Sequence, residues 1–150
     1  MSELAQACWT QLGVSDAELG LQVSSEIVAA VVGIREDFPE HCVHAWPNGS
    51  GGAYVVMDQV DIGDRWSTQT TWLGFHINYT YPEGDVYPHF LRADIQRAEQ
   101  GALTAPFNAS GEFAGQPATV LSRASRQRDL ENFTASRKAR SVISFLRDEA

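Results

Sequence analysis

The chain has 150 residues, 43% hydrophobic and 20% charged, with four Trp, seven Phe and four Tyr, which suits one domain with a packed core. A formal net charge of −8 argues against nonspecific nucleic-acid binding, whose affinity comes from many phosphate contacts, and no apolar run approaches the ~20 residues of a membrane span. The N-terminus MSELAQACWT lacks the basic-then-apolar order of a signal peptide and two cysteines, Cys8 and Cys42, make no disulfide framework, so the expected setting is cytosolic.

In chain order, Ser2 to Leu21 carries scattered apolar residues (Leu4, Cys8, Leu12) broken at Gly13, and reads as a short helix and a turn. Ser24-Ser25-Glu26 opens a stronger helix, EIVAAVVGIREDF, with serine available as N-cap and Pro39 as the stop. Four strand-favouring segments follow: HCVHAW at 41–46, AYVVMDQVDI at 53–62, TTWLGFHINYTY at 70–81 and HFLRADI at 89–95. Pro47-Asn48-Gly49-Ser50-Gly51-Gly52 joins the first two as a hairpin, and Gly63-Asp64-Arg65 turns into the third. Connections this short predict antiparallel neighbours and a four-stranded meander.

In FHINYTYPEGDVYPHF, residues 75–90, alternation puts Phe75, Ile77 and Tyr79 on one face and His76 and Asn78 on the other. Pro82 ends the ladder. Tyr81 and Tyr87 each precede a proline and are expected extended, with Glu83-Gly84-Asp85 turning between them. Residues 96–119 show no sustained period and read as a long irregular connection, a kind that is usually functional or disordered. In LENFTASRKARSVISFLRDEA, Ala135, Ala139, Val142 and Leu146 recur at helical spacing with Phe145 beside them. The expected architecture is α+β: a helix, a four-stranded antiparallel meander, an irregular segment, and a C-terminal helix across one sheet face.

Charge is unevenly spread. Residues 120–150 hold seven basic residues against four acidic ones, leaving four basic against fifteen acidic for 1–119. The basic end reads as a solvated helix face, or as a surface for an acidic protein.

The order of elements and the segment FHINYTYPEGDVYPHFLRADI resemble the ubiquitin-conjugating enzyme superfamily, including its inactive variants and RWD domains, over roughly residues 24–146. There the third strand ends in aromatic-Pro, a short loop and Tyr-Pro. Tyr81-Pro82 and Tyr87-Pro88 match these, with two more residues between them than the usual enzyme loop has, and His89-Phe90-Leu91-Arg92-Ala93 stands for the fourth strand. Divergent bacterial relatives, found in operons with a ubiquitin-like protein and an activating enzyme, look closer than eukaryotic ones. The resemblance implies those two proteins and a target protein as partners, met at Tyr81, Pro82, Tyr87 and Pro88, with no cofactor, metal, nucleic acid or membrane involved.

The resemblance also implies an acyl-carrying cysteine some two dozen residues after the second Tyr-Pro, usually beyond a His-Pro-Asn turn. No cysteine follows Cys42. Pro106-Phe107-Asn108-Ala109-Ser110-Gly111 echoes the turn and offers a serine hydroxyl. A cysteine with a pKa of about 8.5 is partly ionised at neutral pH, whereas a serine hydroxyl needs a base beside it. Ser110, or less favourably Thr119 or Ser122, would then carry the ubiquitin-like C-terminus as an oxyester, with His89 or His76 as base and Asn108 donating to the oxyanion. The alternative is a noncatalytic adaptor or interaction module binding a ubiquitin-like protein, an activating enzyme or a conjugating enzyme. For Ser110 and Asn108 the plainer role is to shape a turn.

His41-Cys42-Val43-His44 is the rival cluster. On a strand Cys42 and His44 share one face and His41 the other, so the three do not converge on one metal. Asp58, Asp61 and Asp64 lack calcium-loop spacing and read as solvated acids, and no GxGxxG, GxxxxGK or GxSxG pattern occurs.

Overall fold

The computed structural model of the chain describes residues 9–99, 101–125 and 133–150. It is α+β, built on one antiparallel sheet of six strands: β1 (Val43–Pro47), β2 (Ala53–Asp61), β3 (Thr70–Ile77), β4 (His89–Arg92), β5 (Phe107–Phe113) and β6 (Gln116–Leu121). The strand order is β1-β2-β3-β4-β6-β5. Helices α1 (Asp16–Leu19), α2 (Ser25–Asp37) and α3 (Ala135–Asp148) accompany it. Among the described residues, no helix is long and apolar enough to cross a membrane.

The two long helices, α2 and α3, form where capping and periodicity predict them. The Ser24 side chain accepts the Ile27 N–H at 3.3 Å, Glu26 sits in the first turn where the helix dipole favours an acid, and Ile27, Ala30, Val31 and Ile34 turn inward. Thr134 caps α3 in the same way through the Arg137 N–H, and Ala135, Ala139, Val142 and Leu146 are all buried, as their spacing predicts. At the far end of α3 the buried Trp66 indole donates to the Leu146 carbonyl at 2.9 Å, and Arg147 reaches the Asp61 carboxylate at 3.2 Å.

Both sheet faces are covered. α2 and α3 pack on one, over Val55, Met57, Leu73, Phe75, Ile77, Leu91, Phe107 and Leu121. The other carries an aromatic layer of Trp46, Tyr54, Trp72, Phe90 and Phe113, closed by the fully buried Trp9 from the helical turn at residues 9–12. Trp9 stacks on Trp46 with ring centroids 5.8 Å apart and meets Trp72 edge-on at 5.3 Å.

The sheet departs from the expected four strands because the stretch 96–119, read as irregular, contains β5 and most of β6. Two features hid them. Asn108 pairs with Val120 and Gly111 with Ala118, so β5 holds one extra residue, a bulge that breaks alternation: Phe107 enters the helix-side core and Phe113 the opposite layer. The hairpin turn is Ala114-Gly115, both at positive φ (49° and 83°), where sequence reasoning looks for Asn-Gly or Asp-Gly. A second bulge lies between Met57 and Val60, with Gln59 at φ 53°, and keeps both flanking side chains in the core. Strands three and four also stop sooner than predicted, at Ile77 and Arg92. Tyr79, expected on the face of Phe75 and Ile77, therefore lies beyond the ladder and is 68% exposed.

Gly74 is where the aromatic layer depends on a missing side chain. A Cβ there would lie 2.8 Å from the Phe113 ring and 2.9 Å from the Trp72 ring. Gly74→Ala is expected to lower stability by about 1–3 kcal/mol, the usual effect of overpacking, measured as a reduced urea midpoint; an unchanged midpoint would show that the two rings yield freely.

Candidate functional site

The structure does not bring the sequence-predicted catalytic residues together. Ser110 lies exposed in the β5 bulge, and its N–H donates to the Asn108 side-chain oxygen at 2.9 Å. The amide proposed for an oxyanion thus shapes its own turn. His89 is on β4, fully buried against Phe75 (ring centroids 5.1 Å apart) and paired with Leu121 of β6. With β6 between β4 and β5, about 10 Å of sheet separates His89 from the Ser110 strand. Of the other hydroxyls, Thr119 is buried and donates to the Arg92 carbonyl at 3.0 Å, while Ser122 is exposed. His76 packs against Tyr54 and contacts the Asn48 amide, and burial pushes its imidazole pKa down.

The four predicted partner-binding residues divide. Both Tyr-Pro bonds, Tyr81-Pro82 and Tyr87-Pro88, are cis. Tyr81 turns inward: its hydroxyl accepts the Ala135 N–H at 3.2 Å at the start of α3, its ring meets Phe133, and burial raises its pKa against the lowering effect of that N–H. Tyr81 and Pro82 form one wall of a groove of about 310 Å³ whose other side is Ala29, Ala30 and Gly33 of α2. Tyr87 is 47% exposed and Pro88 half-buried. Tyr79 joins Tyr87 as an exposed ring of the same connection.

Between the two Tyr-Pro pairs the loop delivers Asp85 to a polar cluster that sequence reasoning missed. The Asp85 carboxylate accepts the Ser125 N–H at 2.7 Å and the Ser125 hydroxyl at 3.1 Å. Lys138 Nζ lies 2.6 Å from the Ser125 hydroxyl and 3.4 Å from both Asp85 oxygens. Burial pushes the Asp85 carboxyl up, but the Ser125 N–H, the Lys138 charge and the two side-chain hydrogen bonds outweigh it, and the group ends below its usual range. His89 lies next to this pair, with neither ring nitrogen hydrogen-bonded. Burial, and then the Lys138 charge, push its pKa down to about 3 against a smaller upward pull from Asp85, so the imidazole is neutral. One signal was legible: Lys138 falls three residues after Ala135 and four before Val142, a lysine on the apolar stripe of a helix.

The rival cluster is held through Asp58. Its carboxylate meets His44 Nε2 at 2.8 Å and its carbonyl meets His41 Nδ1 at 3.0 Å, while Cys42 is exposed. Among the described residues no group of three His, Cys, Asp or Glu side chains is placed to hold a metal ion. Several of the C-terminal basic residues turn back on the body: Arg123 covers the Phe145 ring, Arg140 covers Phe38, and Arg147 pairs with Asp61.

Compared with protein-family models, curated proteins and solved structures, the chain matches none.

The buried neutral His89 sets a pH dependence. Its pKa is 6.5 unfolded and about 3 folded, so the stability that depends on its neutral form is complete above pH 6.5 and is lost as the pH falls from there toward 3. The stability of the wild type relative to His89→Leu is expected to fall by up to about 1.4 kcal/mol per pH unit between pH 6 and pH 4. Urea midpoints across that range test this, and parallel curves for the two proteins contradict it.

Proposed function

We propose that this chain is an atypical ubiquitin-conjugating-like protein of a bacterial ubiquitin-like modification pathway, engaging its partners through the connection between β3 and β4. That connection carries the reading. Two Tyr-Pro pairs bracket a short loop between strands that are antiparallel neighbours, and Tyr79 and Tyr87 project into solvent beside them. An exposed tyrosine combines a large apolar ring with a hydroxyl, the chemistry of an interface anchor. A helix ahead of the sheet, β1 to β4 adjacent in chain order, and a helix after it support a ubiquitin-conjugating-like fold; the β5–β6 hairpin beside β4 is an addition to that plan.

Acyl transfer through Ser110 has less support than partner binding. Its strand neighbour Asn108 serves the turn, and the proposed base His89 is buried on another strand. In binding assays with the ubiquitin-like protein and the activating enzyme of its own genome, the wild type is expected to bind at least one. The double variant Tyr79→Ala, Tyr87→Ala should bind at least tenfold more weakly, a difference of about 1.4 kcal/mol, while Ser110→Ala binds as the wild type does. Absence of binding to both proteins by titration calorimetry rejects the pathway; unchanged affinity in the double tyrosine variant rejects the surface.

A further inference from the structure

Among the described residues, Ser125 has a hydroxyl held between a carboxylate and an ammonium. Its Oγ is 3.1 Å from Asp85 Oδ1 and 2.6 Å from Lys138 Nζ, and the 2.7 Å bond from its own N–H to the second Asp85 oxygen fixes its orientation. The two charged side chains are largely withdrawn from water, Lys138 at 5% and Asp85 at 16% exposure, while Ser125 itself is only half-buried. A serine becomes an effective nucleophile when a base takes its proton and a positive charge stabilises the negative charge that develops. Asp85 and Lys138 stand at hydrogen-bond distance for these two tasks, in surroundings where shielding from water strengthens both interactions. The Asp85 carboxyl, held below its usual range, is ionised at neutral pH, and its oxygen already accepts the Ser125 hydroxyl hydrogen bond.

We infer that Ser125 is the acyl-accepting hydroxyl of this chain, with Asp85 taking its proton and Lys138 stabilising the negative charge that develops on its Oγ. The substrate rests on the pathway reading above: the C-terminal carbonyl of a ubiquitin-like protein held as a thioester on its activating enzyme. Ser125 Oγ bonds to that carbonyl carbon, and the carbon–sulfur bond breaks. The Oγ proton passes to Asp85 and then to the departing thiolate, so the products are an oxyester and a free thiol, with no net oxidation or reduction. Asp85 belongs to the four residues, 83–86, between the two Tyr-Pro pairs, which places the proton acceptor on the proposed docking loop.

Two arms test the inference separately from the pathway. A fluorophosphonate reagent needs no partner protein and reads the hydroxyl directly by intact mass and peptide mapping. Wild type and Ser110→Ala are expected to label at Ser125, with labelling lost in Ser125→Ala and slowed at least tenfold in Asp85→Asn. No label at Ser125, or an undiminished rate in Asp85→Asn, overturns it. In the second arm, the activating enzyme, ATP and the ubiquitin-like protein are expected to give a hydroxylamine-labile adduct on wild type and Ser110→Ala. Ser125→Cys, which keeps the side chain's size if Ser125→Ala fails to fold, is expected to give a thiol-labile one. An adduct mapped to any other residue overturns the inference. Labelling at Ser125 without transfer supports the reactive hydroxyl and rejects the pathway.

Discussion

A lysine on the buried stripe of a helix must have its charge answered, and much of this molecule is arranged around that demand. Withdrawing an ammonium group from water costs several kcal/mol unless a counter-charge and hydrogen bonds replace the lost hydration. For Lys138 the replacements come from far away in sequence: Asp85 from the β3–β4 connection and Ser125 from the chain after β6. The pairing fastens both segments to the start of α3. Trp66 and Arg147 fasten its end, so the helix is fixed to the sheet at two points rather than by its apolar stripe alone.

The same interaction changes how the charge asymmetry is understood. An acidic body and a basic C-terminal segment suggest two surfaces awaiting different partners. Folding brings them together instead, through Lys138 with Asp85 and Arg147 with Asp61, while Arg123 and Arg140 lie over phenylalanine rings. Cations placed over aromatic faces and beside carboxylates are partly neutralised within the fold.

Much of this architecture was legible in the sequence where period and capping agree. The apolar spacing of α3, the Ser24 cap and the four early strands were each predictable from a handful of residues. The β5–β6 hairpin was not, because its bulge destroys the period-two pattern and Ala114 occupies a left-handed turn position usually given to Asn, Asp or Gly. The site was less legible than the fold. Ser110 and Asn108 were chosen by distance along the chain from a Tyr-Pro pair, and distance along the chain carries no information about an intervening strand. The Asp85–Ser125–Lys138 cluster joins three segments that only tertiary structure brings together. Lys138 alone stood out of place in the helical pattern.

The aromatic layer makes the molecule its own spectroscopic reporter. Trp66 sits in the helix-side core, bonded to α3, whereas Trp9, Trp46 and Trp72 lie on the opposite face with ring centroids 5.3–5.8 Å apart where they meet Trp9. Indoles so close couple their electronic transitions, and the coupling disappears when one ring departs. The coupled part of the circular dichroism therefore reads the seating of the N-terminal turn on the sheet, and Trp66, whose ring contact is with Phe107, takes no part in it.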